Sequence, residues 1–256
     1  MKKRIVIKVG TAVLAEQNRL AKERMMALVT FISELKAKYE VILVTSGAVA
    51  AGYGVLKLDK KIIANRQALA AMGQPILAMT YKKKFERVEI DTAQVLLTED
   101  DFNSHHRLKH AQEMMEVLLS KNVVPIINEN DATAVAELTF GDNDWLSAQV
   151  ALHFNASMLV VLSDITGYFD KDPRTHNDAV LRSVVSKIEK DELETKTEAG
   201  SAFATGGITT KLRAANFLIK NNLPTFLSSG MDLKDVHSFL LEDEHKGGTL
   251  FEAENI

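Results

Sequence analysis

Short, mainly apolar runs recur at residues 5–9, 41–44, 93–97, 123–127, 158–162 and 225–227. Runs of this kind, without strict alternation, suit strands buried on both faces, as in a parallel sheet. Between most of them lie segments of helical period. Met25, Leu28, Val29, Ile32 and Leu35 share one helical face, and residues 62–86, 105–121, 143–155 and 208–222 have helical length and spacing. Strand-helix alternation predicts an α/β chain whose mainly parallel sheet is covered by helices on both sides. Residues 135–140 break the pattern and read as a small antiparallel hairpin, and residues 187–201 read as a charged, mobile excursion. No Pro- or Ser-rich linker divides the 256 residues, and no internal repeat is present.

In an open parallel sheet, ligands lie beyond the carboxyl ends of the strands. Two polar clusters fall at such places. Asn128-Glu129-Asn130-Asp131 follows the run 123–127, and Gly141-Asp142-Asn143-Asp144 opens a helix at Trp145. Asn and Asp can fix the ammonium and carboxylate of a small zwitterion, and one Asp can also orient a lysine. The plain alternative is a turn followed by an N-cap. Two clusters so close together favour a small-molecule site.

Other segments add cationic and anion-holding groups. Lys8 interrupts the first apolar run just before Gly10-Thr11-Ala12. A buried ammonium is costly, so Lys8 is expected to emerge at the strand's end, beside turn amides suited to an anion. Thr45-Ser46-Gly47-Ala48 leads from a strand into a small-residue helix, and helix N-termini attract anions. A substrate carboxylate or phosphate at Ser46 and Gly47 is weighed there against a plain N-cap. Ala204-Thr205-Gly206-Gly207-Ile208-Thr209-Thr210-Lys211 lacks the Walker A spacing, yet it has the glycines, hydroxyls, helix start and lysine that phosphates need. Leu162-Ser163-Asp164 ends another strand, and Lys171-Asp172-Pro173-Arg174 reads as a turn. Phosphoryl transfer rests mainly on positioning and charge neutralisation. Lys8 and Lys211 can supply the charge, Asp144 can hold both lysines, and Mg²⁺ can bridge the nucleotide phosphates.

Some features exclude functions. A net charge of −3 leaves no electrostatic footprint for nucleic acid. The absence of cysteine excludes disulfides and thiolate metal sites and accords with a reducing compartment. The start Met-Lys-Lys-Arg precedes an apolar run too short for a signal-peptide core, and no stretch approaches a membrane span. A soluble cytoplasmic protein is expected. His106, His110 and Glu113 share a helix face and read as an exposed polar surface, as do Lys82, Lys83 and Lys84.

The segments Lys8–Thr11, Val44–Gly52, Arg66–Gln74, Pro125–Asp131, Phe140–Ser147 and Thr205–Lys211 resemble, in order, those of the amino-acid kinase family, in its branch acting on glutamate. The resemblance implies a three-layer αβα sandwich around a mainly parallel sheet of about eight strands. It implies a single domain spanning 1–256, with a substrate lobe over about 1–155 and a nucleotide lobe over about 156–256. No C-terminal PUA domain is expected after Gly247-Gly248-Thr249. The implied reaction is ATP-dependent phosphorylation of the L-glutamate side-chain carboxylate to L-glutamate 5-phosphate, the first step of proline synthesis, with ATP as substrate and Mg²⁺ as cofactor. By motif, Lys8 and Lys211 stabilise the transferring phosphoryl group and Asp144 organises them. Ser46, Gly47, Asn128, Asp131 and Asn143 serve glutamate. Lys8, Ser163, Asp164, Thr205, Gly206, Gly207, Ile208, Thr209, Thr210 and Lys211 serve the nucleotide, and no protein metal ligand is assigned. The resemblance further implies a homodimer or homotetramer, feedback inhibition by proline and transient contact with glutamate-5-semialdehyde dehydrogenase. The competing readings are a kinase of the same fold acting on another acid or a nucleoside monophosphate, and a catalytically silent nucleotide- or amino-acid-binding regulator.

Overall fold

The computed structural model describes residues 2–17, 19–134, 143–173, 175–194 and 207–254. Its centre is an eight-stranded sheet, ordered β5 (Thr92–Leu97), β6 (Val124–Glu129), β4 (Tyr39–Thr45), β1 (Lys3–Val9), β7 (Met158–Ser163), β9 (Thr225–Ser229), β10 (Thr249–Phe251) and β8 (Val184–Val185). Neighbours are parallel except β10, which runs antiparallel to β9. The small strands β2 (Ala15–Glu16) and β3 (Arg19–Leu20) form a separate hairpin.

Strand polarity alternates between two cores, as the pleat requires. Val6, Ile42, Val44, Ile127, Leu159 and Val161 pack with residues of α6 (His105–Ser120), α7 (Asp144–His153) and α9 (Ile208–Ile219). On the opposite face Ile5, Ile7, Val9, Leu43 and Val160 pack with α2 (Lys22–Leu35), α4 (Ile63–Phe85) and α10 (Lys234–Leu241). These are the helical layers of the expected αβα sandwich. The remaining helices are short: α1 (Thr11–Leu14), α3 (Ala48–Leu56), α5 (Glu99–Asn103) and α8 (Lys190–Glu194).

The chain leaves β1 toward β4 on one side and later returns to place β7 on the other. Such a reversal opens a crevice at the carboxyl ends of the two central strands. The turn after β1 leans on β7, where the Gly10 N–H donates to the Leu162 carbonyl at 3.0 Å. A second constraint comes from α3 and α4, whose backbones touch. A Cβ on Gly52 would lie 1.9 Å from the Leu69 carbonyl oxygen, and one on Gly73 would lie 1.8 Å from that of Ala48.

Two surface expectations change. Lys82 and Lys83 are exposed, but Lys84 is buried and its ammonium donates to the Lys22 carbonyl at 2.5 Å. Of the excursion expected over 187–201, residues 187–194 hold buried Ile188 and the helix α8, and residues 195–201 lie outside the described residues. The proposed hairpin at 135–140 lies outside the described residues.

Candidate active site

Lys8 shares strand parity with Val6, so it points into the layer that holds α7 and α9. It does not emerge at the strand's end as its cost in isolation suggested. It is 1% exposed, and its Nζ lies 2.6 Å from Oδ1 of Asp144, which is fully buried. Asp144 is the first residue of α7, whose N-terminal amides favour a carboxylate. Its other oxygen, Oδ2, lies 3.1 Å from Nζ of Lys211 on α9 and accepts the Thr210 hydroxyl at 2.8 Å. One carboxylate therefore holds two lysines from distant parts of the chain, one on each oxygen. Two ammonium groups brought to one carboxylate give a point suited to a polyanionic ligand.

Beside this centre is an amide network. Asn143, fully buried, precedes α7 but makes no side-chain cap bond to it. Its Nδ2 instead reaches the Thr45 carbonyl at 2.6 Å, Asn128 Oδ1 at 2.7 Å and Ser46 Oγ at 3.2 Å. Three sequence segments thus meet where β4, β6 and α7 converge. The Asn143 Oδ1 is buried and accepts no hydrogen bond among the described residues. A buried acceptor in that state costs about 1–3 kcal/mol, which a ligand N–H would recover. Asp131 is also buried, in a turn closed by the Ala134 N–H donating to the Asn130 carbonyl at 2.9 Å.

Ser46 is not an N-cap. Gly47 holds that position at φ +105°, a backbone region where a side chain is strained. Below it, Thr45 Oγ1 pairs with Tyr81 Oη at 2.9 Å, and burial pushes that phenol above its ordinary range. Gln74 adds a bond to the Glu129 carbonyl at 3.3 Å, tying α4 to β6.

Ser163 ends β7, with its hydroxyl 3.0 Å from Oδ1 of exposed Asp164. Gly207, Ile208, Thr209 and Thr210 are half-buried at the start of α9, and Lys211 is buried one residue further on. Thr205 and Gly206, together with Gly141 and Asp142 of the second polar cluster, lie outside the described residues. His106 and His110 remain exposed, with their Nε2 atoms 3.2 Å apart. No cluster of three metal-binding side chains occurs among the described residues, and no described helix is long and apolar enough to cross a membrane. Thr45 is a site residue that the sequence does not single out. It acts through its carbonyl, which a side-chain motif does not reveal.

Residues 3–229 match the model of the amino acid kinase family. A protein named glutamate 5-kinase from Wolinella succinogenes is 53% identical, with 97% of this chain and 97% of that protein covered. Another of that name, from Leishmania donovani, is 51% identical over 97% of this chain and 95% of its own length. Among solved structures, UMP kinase from Ureaplasma parvum superposes with a TM-score of 0.65 at 16% identity, covering 98% of this chain and 99% of that one. At that identity the likeness concerns the fold.

Proposed function

The chain belongs to the amino acid kinase family, within its glutamate 5-kinase branch, and from that premise we propose that it transfers the γ-phosphoryl group of ATP to the side-chain carboxylate of L-glutamate. The product is L-glutamate 5-phosphate, the first intermediate of proline synthesis. One observation carries the reading: Lys8 and Lys211 sit on opposite oxygens of buried Asp144.

The glutamate carboxylate is ionised at neutral pH, so no general base is needed. One of its oxygens attacks the γ-phosphorus in line. The bond from γ-phosphorus to the β–γ bridging oxygen breaks, and ADP leaves with that electron pair. Lys8 and Lys211 neutralise charge on the transferring group, and Asp144 keeps both ammonium groups at the reacting centre. Ser46, Gly47, Asn128, Asp131 and Asn143 hold glutamate, the free Asn143 Oδ1 being suited to its ammonium. Ser163, Asp164 and Gly207–Lys211, with Thr205 and Gly206, hold the nucleotide. The substrate side occupies about residues 1–155 and the nucleotide side about 156–256 of one domain.

Asp144 already accepts from Lys8, Lys211 and Thr210, so we place Mg²⁺ on the nucleotide phosphates, where the ion is commonly held. It would add Lewis-acid charge there when bound. A homo-oligomer, a cytoplasmic location, feedback by proline and contact with glutamate-5-semialdehyde dehydrogenase complete the proposal.

The test is ADP release with Mg-ATP and a panel of L-glutamate, L-aspartate, N-acetylglutamate and UMP, with hydroxylamine to trap acyl phosphate. Glutamate-dependent ADP with matching hydroxamate is expected. Activity confined to another acceptor would overturn the glutamate assignment. The same assay run with proline, and with the dehydrogenase added, tests feedback and product hand-over. Lys211→Ala is expected to lower kcat by roughly 10²–10³-fold. It leaves Asp144 paired with Lys8, so the fold should persist and calorimetry should show glutamate binding within a few-fold. Turnover close to normal would remove Lys211 from the phosphoryl-transfer step.

A further inference from the structure

A cavity of about 340 Å³ lies between the loop after β7 and the first turn of α9, with Tyr168, Phe169, Pro173, Glu192, Ile208 and Leu212 among its walls. The α9 wall leads directly to Thr210 and Lys211, both held on Asp144. On the reading above, a nucleotide with its phosphates at that helix start has its base in this cavity.

The facing wall is a short hairpin. Phe169 bridges Leu181 in antiparallel fashion, and the Arg182 N–H donates to the Tyr168 carbonyl at 2.8 Å. The Tyr168 N–H donates to Thr249 Oγ1 at 2.8 Å, which ties the hairpin to β10.

The helix α8 touches both walls. On the hairpin side, Glu192 accepts the Tyr168 hydroxyl and, at 2.9 Å, Nη1 of Arg182, while its other oxygen accepts the Glu189 N–H at 2.8 Å. The Arg182 guanidinium lies 5.0 Å over the Tyr168 ring. On the α9 side, the Leu193 carbonyl accepts Nε and Nη2 of Arg213 at 3.2 and 3.1 Å. A helix of five residues has no stability of its own, so these anchors set its place. Burial acts against the Glu192 charge, but the Tyr168 hydroxyl, the Glu189 N–H and Arg182 together hold its carboxyl below the usual range. Burial and the Glu192 carboxylate push the Tyr168 phenol upward. At neutral pH a neutral donor therefore faces an ionised acceptor, the stronger form of such a bond.

We propose that α8 is a strut that fixes the width of the base pocket, and that Tyr168, through its hydroxyl on Glu192, is a positioning residue for the nucleotide. The inference rests on the nucleotide assignment above. It adds a device acting on ATP and not on the phosphate acceptor.

Tyr168→Phe keeps the ring and its stack with Arg182 and deletes only the hydroxyl. Calorimetric ADP affinity should fall about tenfold, the scale of a lost hydrogen bond to a charged group, and KM for ATP should rise in parallel. At saturating ATP, kcat and KM for glutamate should stay within about twofold, a split that general loosening of the fold does not give. Glu192→Gln keeps an acceptor for the hydroxyl and should lose less ADP affinity than Tyr168→Phe. It carries the test if the tyrosine variant does not fold. ADP affinity unchanged in both variants, or KM for ATP and glutamate rising together, would overturn the strut. Wild-type protein that binds ADP but phosphorylates a different acceptor would overturn the glutamate reading and leave the strut standing. Wild-type protein that binds no ADP would overturn both.

Discussion

Asp144→Asn is expected to cost about 3–5 kcal/mol of stability, the usual result of removing one partner from a buried ion pair. The same change should cut turnover by roughly a thousandfold. The carboxylate is fully buried and sits 2.6 Å from Lys8 and 3.1 Å from Lys211. Asparagine keeps the shape but leaves two ammonium groups facing a neutral amide. The lysines then repel each other at the site where their separation matters for transfer. Lys211→Ala is the instructive contrast, because Asp144 keeps its 2.6 Å contact with Lys8. Urea unfolding with the glutamate-dependent ADP assay should separate the two: loss of stability and turnover for Asp144→Asn, loss of turnover alone for Lys211→Ala. A folded Asp144→Asn protein with kcat within tenfold of wild type would show that the lysines do not need this carboxylate.

The asymmetry between those variants was only half legible in the sequence. Asn143-Asp144 at the start of a helix reads locally as a ligand cluster or a cap, and in the structure the Asn143 side chain makes no cap bond. The Asn143 amide turns away from its own helix toward Thr45, Ser46 and Asn128. That each oxygen of Asp144 would take a different lysine depends on sheet order, which no local spacing encodes. The exposure expected for Lys8 followed from the cost of burying an isolated charge, a cost that falls once a distant partner is present. The anchors of α8 were missed because Tyr168, Arg182 and Glu192 are scattered along the chain and form no motif.

Gly73→Ala is expected to destabilise the protein by about 2–3 kcal/mol, an overpacking cost exceeding the roughly 1 kcal/mol helix-propensity gain of alanine over glycine. The added methyl would lie 1.8 Å from the Ala48 carbonyl oxygen and 2.7 Å from the Gly52 nitrogen, backbone atoms that cannot rotate aside. Relief requires α3 to move off α4, and α3 begins directly after Ser46 and Gly47. The thermal midpoint should therefore fall by roughly 5–10 °C, with KM for glutamate rising more than KM for ATP. An unchanged midpoint would mean that the two helices separate freely.

Long elements were readable because period and length agree. The segment expected over 62–86 is the helix Ile63–Phe85, and the apolar run 158–162 lies within the strand Met158–Ser163. What escaped was short. Val184–Val185 and Thr249–Phe251 become strands by pairing with each other and with β9, and runs of two or three residues carry no periodicity. The helix Glu99–Asn103 had a local signal, since Thr98 and Asp101 form a capping box, but its apolar content is confined to Phe102 among the buried residues.

The charge centre is stitched from the first strand, the helix at Asp144 and the helix at Lys211, and this has a consequence at the ribosome. Synthesis at about 5–20 residues per second releases Lys8 early, its counter-ion shortly after the midpoint, and the second lysine later still. A chain that stops between residues 144 and 211 has Lys8 and Asp144 but lacks the second lysine. On the proposed function, a chain that stops before residue 211 is expected to release no ADP in the glutamate assay.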